Sequence, residues 1–411
     1  MDTKILAVAV VAIIAVAAVG TYIVISNNDP VDMSIVGRVN TDGSGIIINA
    51  DENVDSYVTI DKSEDEPSEP HLGTAGKWVI LHKEGWAGKV FTDPGAATIQ
   101  HVQLSTIASE MGLKFVQYTN ATKISDDTLY YYPGVPSYEK YVSEYNTNDK
   151  ISGGIFWEPQ SSIAVISGCK MMTVTNDLFP GHTCCTIAGQ TSYMQSHQDE
   201  TVRFLAAYIK AVNQMVKAID DGSGEAYDKV IKLASEKVSM PQGFTNEQKK
   251  EAVLSAFEYV VYKYADTTDA DVEDPLADLK KDVADMAGEF KDGNLVRNSY
   301  SDLGFKSNQE LADKFVDSSY MKQAMNYEKK DSYESVSSIK VSVIGGDIHQ
   351  LAIHYAIEMG IFKEYGLNIT LSVQSNGPGI YTSLKNNDSQ LGFIGAPPMI
   401  INSMNDKAIS A

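Results

Sequence analysis

IKVSVIGGDIHQLAIHYAIEMGIFKEYGLNITLSVQSNGPGIYTSLKNNDSQLGFIGAPPMIINSMNDKAISA, running from Ile339 to Ala411, decides how the rest of the chain is read. Val341–Ile344 is a short apolar strand. Leu351–Phe362 carries apolar residues at helical spacing, with stops at Gly360 and Gly366. Asn368–Val373 alternates as a strand, Ile380–Leu384 suits a helix, and Leu391–Ile394 is a third apolar strand that enters Gly395-Ala396-Pro397-Pro398. Strands alternating with helices at this spacing predict a βαβαβ unit and a parallel sheet. Such a sheet needs a layer on each face. With the chain ending at Ala411, the expectation is that earlier segments supply those layers.

Working back from this stretch, Asn326–Ser338 (NYEKKDSYESVSS) is polar and aperiodic and reads as a linker. Before it the pattern is helical over Asp199–Ala218, Ala226–Ser235, Asn246–Tyr264, Leu276–Phe290 and Gln309–Phe315. The middle of the chain alternates. Lys77–Leu81, Lys89–Thr92, Lys114–Gln117 and Gly153–Trp157 read as strands, and a helix is expected from about Ile99 to Met111, ended by Gly112. Tyr138–Tyr145 reads as a helix, Ala164–Ile166 and Met171–Val174 as short segments, and Thr183–Ala188 as a strand. Asp51–Pro70 (with SEDEPSEP) is acidic and reads as an exposed loop. Ser34–Asn49 reads as two strands around NTDGSG, where Asn40–Gly45 fits a hairpin turn or a ligand contact equally well. At the N-terminus, Lys4 precedes an apolar run from Ile5 to Ile25. At about 1.5 Å per residue this spans a ~30 Å hydrocarbon core. The expectation is an uncleaved membrane anchor, with a cleaved signal as the alternative, and a body outside the cytoplasm.

The chain carries 33 basic and 54 acidic side chains, a net charge of −21. That disfavours nucleic acid and anionic membrane surfaces as partners. The three cysteines, Cys169, Cys184 and Cys185, are too few for a disulfide framework, though one bridge from Cys169 to either neighbour is open. No spacing suggests a metal site, and His349 and His354 are poorly placed to share a helical face. No phosphate loop, HExxH or nucleophile motif is present, so neither a cofactor nor an enzyme activity is expected.

The C-terminal stretch, with GGDIHQ, EMGIFKEYGLNI and LGFIGAPPMI, resembles the amino-terminal part of solute-binding proteins of ABC importers, in the nitrate/sulfonate/taurine branch that includes thiamine-pyrimidine binders. GKVFTDPGAATIQH, GGIFWEPQ, LFPGHTCCTIA and HQDETVRFLAAYIKAV resemble the second half of the same family. LADLKKDVADMAGEFKDGNLVRNSYSDLGF followed by SSYMKQA resembles its end. The set is complete from about Ser34 to Ala411 but in rotated order, as though AIS continued into SIVGRV. A circular permutation is therefore expected, with residues 326–338 joining the old termini. The alternative is a truncated tandem that pairs halves between chains. A flexible linker of about 13 residues reaches roughly 20 Å, which suits domain termini that lie close together.

The resemblance implies an α/β fold of the two-lobed type II periplasmic-binding-protein kind, with a ligand cleft between lobes and an N-terminal transmembrane helix. Residues 1–33 would be anchor and tether. Residues 34–84 and 339–411 would build the first lobe, 85–180 the second, and 181–325 the return strand and late helices. Ligands in open α/β sheets sit at strand carboxyl ends, where helix starts offer N–H donors. The candidates are Gly346, Asp347, His349 and Gln350 after one strand, and Gly395, Ala396 and Pro397 after another. Gly95, Ala96 and Thr98 open the Ile99 helix, and Trp157 and Glu158 end the GGIFW strand. The Cys184-Cys185 pair invites comparison with related pyrimidine-synthesising enzymes, whose cysteine motif is richer. The expected function is capture of a small oxyanion such as a sulfonate or nitrate, or of a thiamine-precursor pyrimidine, and delivery to an ABC permease and its ATPase. A membrane-anchored sensor or interaction module of the same fold is the alternative.

Overall fold

Fifteen strands organise residues 31–411, the part of the chain described by a computed structural model. In chain order they are β1 Met33–Asp42, β2 Ser44–Ile48, β3 Val58–Asp61, β4 His71–Thr74, β5 Lys77–Leu81, β6 Val90–Asp93, β7 Lys114–Gln117 and β8 Thr128–Pro133. There follow β9 Ile151–Trp157, β10 Lys170–Val174, β11 Thr183–Gln190, β12 Val260–Tyr262, β13 Ser337–Ile344, β14 Leu367–Gln374 and β15 Leu391–Gly395. They form two six-stranded sheets, ordered β12-β1-β11-β15-β13-β14 and β10-β2-β9-β6-β8-β7, and a three-stranded sheet β3-β5-β4.

The C-terminal stretch is the βαβαβ unit that its periodicity predicts. β13 pairs in parallel with β14 and β15. β15 then runs antiparallel to β11, which runs antiparallel to β1. Strands far apart in sequence thus complete one sheet. Its apolar cover includes the helix Gln198–Asp221, whose Phe204 stacks on Phe362 at 5.1 Å and whose Tyr208 meets Phe393 edge-on, also at 5.1 Å.

The chain passes between the two large sheets twice. One passage is Gly43, the single residue between β1 and β2. The other is Thr175–His182, between β10 and β11. This corrects two expectations. Asn40–Gly45 is not a hairpin turn, because β1 and β2 belong to different sheets. Nor do residues 34–84 all join the sheet of the C-terminal stretch. Only β1 does so, because Gly43 adopts φ 90° and redirects the chain. From Ser44 onward the segment packs on the second sheet. Trp86 stacks on Phe91 of β6 at 5.0 Å, and Tyr57 meets both rings edge-on. The acidic stretch read as a loop contains β3, held by its pairing with β5.

Smaller differences have local causes. Ala164–Ile166, read only as a short segment, is the end of a helix Gln160–Ile166, whose start is held by the Glu158 carboxylate accepting from Ser161 Oγ and Ser162 N–H. The helix Asn246–Tyr259 stops five residues early, where the β-branched pair Val260-Val261 goes into β12 beside β1. The linker is anchored within its length. Arg203 lies over the Tyr333 ring at 5.0 Å, and the Tyr327 and Tyr333 hydroxyls are 3.2 Å apart. Among the described residues no helix is long and apolar enough to cross a membrane. The expected N-terminal anchor, Ile5–Ile25, lies outside them.

Arg38 on β1 holds the first sheet to the helix Ala277–Asp292. Its Nε donates to Asp266 Oδ1 at 2.8 Å, its guanidinium reaches Asp282 Oδ2 at 3.3 Å, and it also contacts Thr183 Oγ1. Asp266 Oδ2 in turn accepts from the backbone N–H of Asp278 at 2.7 Å. Arg38→Ala leaves the Asp266 carboxylate, only 8 % exposed, without its cation. The expected cost is about 3–5 kcal/mol, read as a lower urea midpoint at unchanged slope.

Candidate functional site

The carbonyl oxygen of Gly43 is where the two large sheets meet. It accepts the backbone N–H of Glu158 at 2.9 Å and faces His349 Nε2 at 3.0 Å. Glu158 follows the last residue of β9 in the second sheet, and His349 follows the end of β13 in the first. Two residues singled out in the sequence, 191 positions apart (349 − 158), therefore converge on one backbone atom.

His349 Nδ1 faces Asp347 Oδ1 at 2.7 Å, and the same oxygen accepts the His349 backbone N–H at 3.0 Å. Both ring nitrogens thus face acceptors, a carboxylate and a carbonyl. Only the doubly protonated ring satisfies both. Burial opposes the charge, but Asp347, Cys184 and the Gly43 carbonyl outweigh it and raise the His349 pKa to about 9. Glu158 is fully buried, and that burial pushes its carboxyl up against the lowering effect of its Ser161 and Ser162 donors.

The second passage carries a parallel arrangement. His182 Nδ1 faces the Phe179 carbonyl at 2.8 Å and Asp42 Oδ1 at 3.4 Å, while Nε2 lies 2.9 Å from the Gln103 amide. Burial works against its charge, and Asp42 overcomes this, so its pKa is raised. The helix Ile99–Glu110 thereby touches both passages, because Gln100 Nε2 donates to Ser44 Oγ at 2.9 Å. At the start of this helix Thr98 Oγ1 donates to the Gly95 carbonyl at 2.7 Å and accepts the His101 N–H at 3.4 Å. His101 Nδ1 faces Asp93 Oδ2 at 2.8 Å, and its ring meets Tyr131 edge-on at 4.7 Å, beside the stacked Phe115–Tyr131 pair. Asp93 Oδ1 is buried without a hydrogen-bond partner among the described residues.

The other expected site residues have different placements. Gln350 is fully buried and committed to the fold. Its amide accepts from Ile344 N–H at 2.9 Å and donates to the Phe393 carbonyl at 3.1 Å, tying β13 to β15. Gly346 has φ 76°, and its carbonyl accepts Ser239 N–H at 3.0 Å; a Cβ there would lie 1.9 Å from Ser239 Oγ. Its small size serves this approach. Gly395 precedes the helix Ala396–Asp406, with Ala396 and Pro397 buried in its first turn. Gly95 and Thr98 are half-buried, Ala96 is exposed, and Trp157 is half-buried at the end of β9. The thiols of Cys169, Cys184 and Cys185 are free, so of the two alternatives left open by the sequence, a bridge from Cys169 or free thiols, the structure has free thiols.

Protein-family models, curated proteins and solved structures contain no match to the chain. The site is therefore argued from its own geometry. Gln103 and His182 belong to it although the sequence did not single them out, and so do Asp42 and Gly43, which lie in Asn40–Gly45, read as a hairpin turn or a ligand contact. The available signal was NTDGSG, which reads as a turn until its two flanking strands are assigned to different sheets.

Two tests follow from this geometry. With the folded pKa of His349 raised, its stabilisation is fully present below about pH 6.5, the ordinary imidazole value, and is lost as pH rises to about 9. Melting temperatures from pH 6 to 9.5 should fall over this window in the native chain and fall less in His349→Asn. Gly43→Ala places a Cβ 2.5 Å from His349 Nε2 at φ 90°. It should cost more than about 2 kcal/mol by chemical denaturation.

Proposed function

We propose that this chain is an extracytoplasmic solute-binding protein, circularly permuted, that closes two lobes over a small ligand and presents it to an ABC permease. Each lobe has one of the six-stranded sheets at its centre, and the hinge is Gly43 with Thr175–His182. The observation that carries this reading is the Gly43 carbonyl, which takes one donor from each sheet. A hydrogen-bonded junction between two sheets joined by only two short passages is suited to rotation of one lobe against the other. The rotated order draws support from the sheet β12-β1-β11-β15-β13-β14, in which the first strand and the last three strands of the chain share one sheet. Met33 N–H also donates to the Ala408 carbonyl at 2.8 Å, so the ends to be joined in the unrotated order lie together.

Two ligand classes draw support from what borders the junction. A sulfonate or nitrate-like oxyanion would be held by the N–H groups at the start of the helix Ile99–Glu110, beside Gly95, Ala96 and Thr98. A flat pyrimidine is the second reading, favoured by the His101, Phe115 and Tyr131 rings next to that helix start. In this reading the apolar run Ile5–Ile25, which lies outside the described residues, is what holds the body to the membrane, and the protein's role is transport.

Thermal-shift measurements on the purified protein with sulfonates, nitrate, bicarbonate and pyrimidines test this reading. A ligand at 100 times its dissociation constant adds about 2.7 kcal/mol, and a rise of several degrees is expected for one class. Thr98→Ala should reduce that rise for an oxyanion. If no compound raises the melting temperature, the transport reading fails and the anchored sensor or interaction module takes its place.

A further inference from the structure

Successive side chains of a regular strand point to opposite faces of the sheet. Cys184 and Cys185 on β11 depart from this, because their Sγ atoms lie 3.8 Å apart. The pairing register gives the reason. Asn40 of β1 is opposite Cys185, but the next residue, Thr41, is opposite Thr183. Cys184 is thus the extra residue of a bulge, opposed by none in β1, and the bulge turns its side chain toward that of Cys185. On the other side Cys185 pairs with Gly395, the last residue of β15. The two residues are 6 % and 4 % exposed and are the second and third residues of β11, just past the second passage between the sheets.

From this arrangement we infer that Cys184 and Cys185 are a redox-active vicinal dithiol, which peroxide oxidises to a disulfide between adjacent residues at the passage from the second sheet to the first. The bond needs its sulfurs to close from 3.8 Å to about 2.05 Å, which side-chain rotation and adjustment of the bulge supply. Cys184 is the attacking sulfur. The Cys185 thiol donates to it and lowers its pKa; burial opposes this, and His349 and His182 add to the lowering. The thiolate attacks hydrogen peroxide, its O–O bond breaks, and Cys184 becomes a sulfenic acid as hydroxide takes up a proton and leaves as water. The Cys185 sulfur then gives up its proton and attacks Cys184 Sγ, releasing the second water. Two thiols lose two electrons and two protons, and one peroxide becomes two waters. Cys169, half-buried with its thiol pKa pushed up to about 11 by burial, takes no part.

The disulfide closes a ring of only two residues, so it constrains little of the unfolded chain and acts by stiffening the bulge. That bulge lies opposite Asn40 and Thr41, beside Asp42, and two residues past His182, so oxidation alters the junction whatever ligand it serves.

Peptide mapping of the native protein tests the inference. The reduced protein is treated with hydrogen peroxide, unfolded, alkylated with N-ethylmaleimide and digested with trypsin, which leaves both cysteines on the peptide Met171–Arg203. The expected product is that peptide, lighter by two hydrogens and without alkylation, and it should also form in Cys169→Ser. In parallel, phenylarsine oxide should bind the native reduced chain across both sulfurs, with loss of one water, and should not bind Cys185→Ser. Full alkylation of both cysteines after peroxide, a bond from either to Cys169 or to a second chain, or the absence of an arsenical adduct would each overturn the inference.

Discussion

One backbone oxygen, the carbonyl of Gly43, is the constraint on which the rest depends. A single residue separates β1 from β2, so the chain must leave one sheet and enter the other within one peptide unit. Only a residue without a Cβ fits, since the space a Cβ would take lies 2.5 Å from His349 Nε2 and 2.9 Å from Val260 Cγ2. The carbonyl exposed by that turn would be a buried acceptor without a partner. Glu158 and His349 supply the partners, and each comes from the segment after a strand's carboxyl end in a different sheet. Closing the backbone at this point therefore brings the two candidate surfaces together.

The charges near the junction differ in kind from those that hold the first sheet. Arg38, Asp266 and Asp282 join strand to helix within one sheet's layers and have no role between sheets. His349 with Asp347, and His182 with Asp42, sit where the sheets meet. Buried pairs of this sort add little net stability, because desolvation offsets attraction, but they fix one arrangement of the groups around them. Here each pair orients an imidazole toward an atom of another segment: the Gly43 carbonyl in one case and the Gln103 amide in the other. Under the proposed lobe closure, this orientation lets the junction reform in the same geometry.

Much of this was legible in the sequence. The period of Ile339–Ala411 gave the strands and helices, although the helix read as Leu351–Phe362 breaks in two at Gly360, where φ is 69°, and the first strand begins at Ser337 rather than Val341. Glu158 was reachable because it directly follows β9, and Asp347 and His349 because they lie in the short loop after β13. Gln350 was misread, since a buried amide that ties β13 to β15 has the same residue type and spacing as a ligand contact. The split of β1 from β2 was not legible. NTDGSG has hairpin composition, and only the pairing of β1 with β11 and of β2 with β9 separates the strands. The helical pattern running past Tyr259 failed for a similar reason, because pairing with β1 outweighed the helical period. His182 lies in a loop whose partners, Asp42 and Gln103, are long-range contacts without any local signature.

The proposed closure at the Gly43 junction can be measured without knowing the ligand. Nitroxide labels at Asp149 and Asn386, exposed residues flanking the second and first sheets, would report the separation of the two sides by pulsed electron resonance in a chain with its cysteines replaced. Raising the pH from 6.5 to 10 removes the proton from His349, whose pKa is about 9, and leaves one of its two acceptors unpaired. A junction that opens and closes predicts a shift from a narrow, short distance toward a longer and broader distribution, with His349→Asn already shifted at pH 6.5. One unchanged distribution across this range, in both proteins, would contradict the account.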